Sequence, residues 1–248
     1  MIPYIAGQLA RNKVAVVTGA NRGIGKAISE TLLAHGCTVI AAVRDIEAAK
    51  ASLTHQDNLH FVKLDLNHED SVKSSIKDIR AISKTVDILI NNAGIAMGGL
   101  FQMTSMHDVK QLFEVNLFNQ LLLTQQISRL MQRQKQGCVI NILSSATHQI
   151  DRGTLAYGSV KSAFERASLS MAVELADSGI RVNAIAPGVT STDMAEEMDE
   201  QAKIDLVAKS LLKKAAIPQD IANTALFLCS DLATHITGQV LNVDGGLI

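Results

Sequence analysis

Short apolar runs rich in β-branched residues recur along this chain, with stretches of helical periodicity between them. Lys13–Thr18, Thr38–Val43, Leu59–Leu64, Val86–Ile90, Cys138–Leu143, Ile180–Ile185 and Val240–Val243 read as buried strands. They are hydrophobic throughout rather than at alternate positions. Successive side chains of a strand point to opposite faces, so this pattern suits a parallel sheet that is dry on both sides. Gly25–His35, Glu69–Ser83, Val109–Gln134 and Leu155–Asp177 read as helices in between. The alternation predicts an α/β fold: a doubly wound, Rossmann-type parallel sheet of seven strands.

No Pro- or Ser-rich linker interrupts this order, and the prolines are confined to Pro3, Pro187 and Pro218. A single domain over 1–248 follows, large enough to bury a core without disulfide or metal. The stretch from Pro187 to about Gln201 is the most irregular and follows the sixth strand. Open α/β sheets bind ligands at carboxyl strand ends, so a substrate lid is placed at about 187–212. A formal charge of -1 gives no electrostatic reason to expect a nucleic acid or an anionic membrane as partner. Cys37, Cys138 and Cys229 lie among apolar residues and read as buried, reduced thiols. Met1 to Ala10 has no basic start followed by a long apolar run, and no stretch reaches the ~20 apolar residues of a membrane helix. The expected location is cytoplasmic. His35, His55, His60, His68, His107, His148 and His235 are scattered without ligand spacing, so no metal is expected. His148, just past Ser144, is placed in a substrate pocket.

The first strand runs into Thr18-Gly19-Ala20-Asn21-Arg22-Gly23-Ile24-Gly25 and then a helix. Glycines there permit a sharp turn, a close approach of backbone to a pyrophosphate and tight helix packing. The helix start offers free N–H groups and a positive dipole end to phosphates. Farther on, Tyr157 and Lys161 stand four apart on a helical segment, so both rise from one face. A free tyrosine with a pKa of about 10 is a poor proton relay near neutrality. A neighbouring ammonium is expected to lower that value and make it a better acid and base.

The Gly-x-x-x-Gly-x-Gly spacing resembles the glycine motif of the short-chain dehydrogenase/reductase family. The resemblance continues from about Lys13 to Gly246: Asn91-Asn92-Ala93-Gly94 after the fourth strand, Val115-Asn116-Leu117, Asn141-Ile142-Leu143-Ser144, Tyr157-x-x-x-Lys161, and Pro187-Gly188 with Thr192 downstream. It implies an oxidoreductase that moves a hydride between a nicotinamide cofactor and a carbonyl or alcohol. It implies Asn116, Ser144, Tyr157 and Lys161 as the catalytic set. The serine thirteen positions before the tyrosine selects Ser144 over Ser145. Asn116 would kink its helix and hold a water linking the lysine to solvent. The cofactor would meet Gly19, Asn21, Arg22, Gly23, Ile24, Gly25, Asp65, Leu66, Asn92, Ala93, Gly94, Tyr157, Lys161, Pro187, Gly188, Thr190 and Thr192. Thr190 departs from the pattern, since a larger aliphatic residue usually occupies that place.

Relatives that prefer NAD carry an acidic residue where Val43 stands. Here that carboxylate is absent and Arg44 follows, with Arg22 in the glycine turn. Two guanidinium groups suit a 2′-phosphate, so NADP(H) is the expected cofactor. Within the family the chain resembles the 3-oxoacyl-[acyl-carrier-protein] reductases, on Ala186-Pro187-Gly188, Thr192-Asp193-Met194, Thr237-Gly238-Gln239 and Asp244-Gly245-Gly246. That implies a carbonyl substrate, free or as an acyl thioester, acyl carrier protein as its carrier, and a homotetramer. The stretches Gln132–Gln136 and Asp177–Gly179, expected beside the mouth of the site to dock the carrier, are only partly basic. A dehydrogenase of a sugar, steroid or other small secondary alcohol is the alternative. A non-catalytic dinucleotide sensor is a third, opposed by the intact catalytic set.

Overall fold

A computed structural model describes residues 8–54, 56–196 and 198–247. Along the chain run β1 (Val14–Thr18), α1 (Gly23–Ala34), β2 (Thr38–Val43), α2 (Ile46–Ser52), β3 (Leu59–Lys63), α3 (Glu69–Ile82), β4 (Ile88–Asn91) and α4 (Met106–Phe113). Then come α5 (Asn119–Gln134), β5 (Gly137–Ile142), α6 (Leu155–Leu175), β6 (Ile180–Pro187), α7 (Asp193–Glu196), α8 (Glu200–Lys209), α9 (Pro218–Cys229) and β7 (Val240–Val243). The strands form one seven-stranded sheet in the order β3-β2-β1-β4-β5-β6-β7, with every pairing parallel. This is the doubly wound α/β architecture that the sequence predicts.

The two-sided core explains the continuous apolar runs. In β1, Ala15 and Val17 join the core under α1 and α9, while Val16 joins the opposite one beneath α3 and α5. In β4, Ile88 and Ile90 face the first core and Leu89 the second. Cys37, Cys138 and Cys229 are buried and free, and burial pushes the Cys37 thiol up to about 12. Among the described residues no helix is long and apolar enough to cross a membrane, and no cluster of three His, Cys, Asp or Glu could hold a metal. His55 lies outside the described residues, as do Met1–Gly7.

Two segments differ from the sequence prediction. The helix expected over Val109–Gln134, with a kink at Asn116, is two helices: a π turn at Glu114–Phe118, with Asn116 at its middle, separates α4 from α5. A π turn adds one residue, so the apolar faces before and after it are offset by about 100°. The stretch from Pro187 to about Gln201, expected to be irregular, contains α7, and the expected lid contains α8 as well. Asp199 starts α8 by accepting a hydrogen bond from Ala202 N at 3.0 Å, a capping signal present in the sequence.

Candidate active site

The sheet order reverses at β1, whose neighbours are β2 and β4, and the carboxyl ends of these strands open a crevice there. A cavity of about 460 Å³ fills that crevice and extends past β5 and β6. Its walls bring together residues that are far apart in sequence.

At the β1 end the chain turns at Gly19, whose φ of +64° favours glycine, and α1 starts at Gly23. Gly25 lies behind this turn, where an added Cβ would collide with the Gly19 carbonyl. The turn is braced from β4. Asn92 Nδ2 donates to Thr18 O at 2.9 Å, and Thr18 Oγ1 accepts from the N–H groups of Asn92 and Ala93, both at 2.9 Å. The start of α1 thereby faces open space with unpaired N–H groups, a cradle suited to a pyrophosphate.

Beyond the turn, Val43, Arg44, Asp65 and Leu66 line the cavity. Arg44 is exposed. Burial works to raise the Asp65 carboxyl, but hydrogen bonds from Asn67 N and Nδ2, together with nearby His68 and Arg44, hold it below its ordinary value. Arg22 also lines the cavity, and its Nη1 lies 3.5 Å from Asp193 Oδ2 at the start of α7.

The opposite end is buried chemistry. Lys161 is 6% exposed, its Nζ donates to Ile142 O at 2.8 Å, and burial lowers its pKa to about 8. The same ammonium lies 5.8 Å from the centre of the Tyr157 ring. Tyr157 is half-buried against the cavity, with the Ser144 hydroxyl beside its phenol. Ser144 sits just past β5 and accepts from Ala146 N at 3.2 Å. Burial raises the Tyr157 pKa and Ser144 offsets only part of that. The sequence led to the opposite expectation, a value lowered by Lys161. The reason for the difference is desolvation, which outweighs the effect of Ser144, so the shift is upward. A protonated phenol is the form that gives a proton.

Asn116 stands one layer behind the cavity. Its Nδ2 donates to Ile95 O at 2.7 Å, and its Oδ1 accepts from Ile95 N at 2.9 Å. Of the catalytic and cofactor-binding residues singled out from the sequence, Asn116 and Gly25 support the wall, and the others form it. That group includes Pro187, Gly188, Thr190 and Thr192, which continue from the end of β6; Thr190 is 5% exposed.

Two expectations need correction. His148 does not line the cavity; its Nε2 faces Glu165 on α6 at 3.6 Å, and Gln149 lines the cavity instead. The short 3-10 turn at Ser145–Thr147 rotates the next residue away. Gln132–Gln136 and Asp177–Gly179 do not border the mouth either. They meet each other, Gly179 against Lys135, at the amino ends of β5 and β6. The six residues of β5 separate them from Ser144 by about 20 Å. Met97, Gln149, Asp151, Thr154, Met198 and Leu206 also line the cavity; sequence reasoning did not single them out one by one, although Met198 and Leu206 fall within the lid expected at about 187–212. Asp151 pairs with Lys209 of α8 at 3.0 Å. Nothing in spacing marks these residues, because they come from separate segments.

The sequence model described as enoyl-(acyl carrier protein) reductase matches residues 19–248. The chain is 37% identical to the 3-oxoacyl-[acyl-carrier-protein] reductase of Aquifex aeolicus, with 96% of this chain and 98% of that protein covered. The chain belongs to the short-chain dehydrogenase/reductase family. It is 35% identical to carbonyl reductase family member 4 of Xenopus tropicalis, over 95% of this chain and 98% of that one. Among solved structures it is similar to a 7α-hydroxysteroid dehydrogenase complexed with NADH and 7-oxo glycochenodeoxycholic acid. That match has a TM-score of 0.89 at 30% identity and covers 97% of this chain and 96% of that one. As a short-chain dehydrogenase/reductase, the chain is an oxidoreductase of CH–OH groups and the corresponding carbonyls, and it uses a nicotinamide dinucleotide.

Proposed function

We propose that this enzyme is an NADP(H)-dependent reductase that converts a 3-oxoacyl thioester, carried on acyl carrier protein, to its 3-hydroxy form. The observation that carries this reading is the convergence of Ser144 and Tyr157 on the wall of the open cavity, with the buried Lys161 Nζ 5.8 Å from the Tyr157 ring. Ser144 hydrogen-bonds the carbonyl oxygen, and Tyr157 gives that oxygen its proton. Lys161 holds the nicotinamide ribose and, when protonated, stabilises the phenolate left behind. Asn116 fixes the wall at Ile95 and the water that returns protons to Lys161. The bound nicotinamide supplies the hydride.

The cofactor cradle fits the role. Gly19, Gly23 and Ile24 line the pyrophosphate turn, Asp65 and Leu66 the adenine side, and Asn92 to Gly94 the floor. Pro187, Gly188, Thr190 and Thr192 face the nicotinamide. Val43 presents no carboxylate to repel a 2′-phosphate, while Arg44 and Arg22 are exposed cations beside it. The segment 187–212 acts as the substrate lid, tied down by the Lys209–Asp151 and Arg22–Asp193 pairs. Met97, Met198 and Leu206 give the substrate side an apolar wall suited to an acyl chain. The likeness to a hydroxysteroid dehydrogenase favours a second reading, in which a small secondary alcohol or its ketone occupies the same space. A homotetramer accords with the apolar side chains left exposed on Phe118, Leu155 and Val173; sedimentation as a monomer at micromolar concentration would refute it.

A turnover screen with NADPH against 3-oxoacyl thioesters, steroid ketones and keto sugars tests the substrate. The thioesters are expected to give kcat/KM at least tenfold above the rest. Preference for a steroid or sugar would overturn this reading and support the second.

A further inference from the structure

The chain just beyond the π turn carries amide side chains that grip the loops forming the cavity. Asn119 Nδ2 donates to Leu66 O, at 2.9 Å, and to Glu114 Oε1 at the same distance. Gln120 Nε2 donates to Ala93 O. With Asn116 already holding both polar groups of Ile95, the backbone from Ala93 to Ile95 is clamped at two points from one helix end. Ala93, Gly94 and Ile95 all form cavity wall.

Gln120 is 1% exposed, and its Oε1 is buried without a hydrogen-bond partner. A buried acceptor left unpaired destabilises the fold, and an apolar side chain of the same length would remove that cost. Helix packing therefore gives no reason for an amide here, and the bond to Ala93 does.

We propose that Gln120 is a positioning residue: by holding the Ala93 carbonyl it sets the wall against which the reacting groups are aligned, and it does so at a cost in stability. The proposal rests on the reading of this cavity as the catalytic site. Small displacements of a reacting partner lower turnover steeply, by as much as ~10²-fold for about 1 Å.

Gln120→Met keeps an unbranched side chain of similar length and a good helix former, and removes both the donor and the orphaned acceptor. The expected result is kcat down about tenfold, KM for the carbonyl substrate changed less than about threefold, and a melting temperature maintained or raised. Gln120→Leu is measured in parallel. A melting temperature that falls in both variants, failure of both to fold, or kcat within about twofold of the unmodified enzyme would overturn the proposal. Tyr157→Phe is assayed beside them. If that variant keeps its turnover, the catalytic reading fails; if it is inactive while Gln120→Met is fully active, only the role of Gln120 fails.

Discussion

At the β2 end of the cavity the charges stand in water, whereas at the β5 end they are enclosed. Arg22 and Arg44 are exposed, and Arg22 shares its guanidinium with Asp193 at 3.5 Å. Lys161 is buried, hydrogen-bonded to a backbone carbonyl at 2.8 Å and shifted to about 8. On the function proposed above, the contrast separates two tasks. Exposed cations select a cofactor by long-range attraction that solvent and salt weaken. Enclosed groups act through fixed geometry and altered acidity, where removing one atom changes the chemistry.

The largest effect should come from the enclosed end. Tyr157→Phe removes the proton donor and is expected to lower kcat by at least ~10²-fold. Retention of more than about a tenth of kcat would mean that another group donates. Lys161→Met comes next, with kcat reduced by more than about tenfold. Its stability should move the other way. Lys161 is held near 8 against 10.5 when free, so between those values the unfolded chain binds the extra proton. Stability therefore rises with pH from about 8 to 10.5, and below 8 the buried ammonium costs up to ~3 kcal/mol. Lys161→Met should melt higher at pH 7 and lose part of that advantage by pH 10. Thermal melts across this range that show no convergence would refute the burial argument.

Effects at the exposed end should be smaller. Arg44→Ala is expected to narrow the ratio of NADPH to NADH affinity by about tenfold, as should loss of one charge-assisted contact. Added salt should narrow it too. Asp193→Asn frees Arg22 and should tighten NADPH binding by no more than about threefold, since exposed pairs contribute little. Titration showing weaker NADPH binding in that variant would place Arg22 in a different role.

The sheet was legible because its strands are buried on both faces, and a run such as Val14–Thr18 has few other structures open to it. Gly19–Gly25, Asn92–Gly94, Ser144 and Tyr157–Lys161 could be placed because strand ends and helix starts fix where they point. What escaped was tertiary. His148 turns to Glu165 because of a three-residue 3-10 turn. The raised pKa of Tyr157 depends on burial, which spacing along a helix does not report. No spacing marks the amides of Asn119 and Gln120, because the loops they hold, at Leu66 and Ala93, are distant in sequence.

NADPH titration of Tyr157→Phe and Arg44→Ala, each followed by its turnover at saturating cofactor, tests most directly whether the two ends act separately. The expected result is a crossing. Tyr157→Phe binds NADPH within about twofold of the unmodified enzyme and turns over at least ~10²-fold more slowly, whereas Arg44→Ala binds NADPH about tenfold more weakly and turns over normally once saturated. Loss of both binding and turnover in both variants would contradict this division of the cavity.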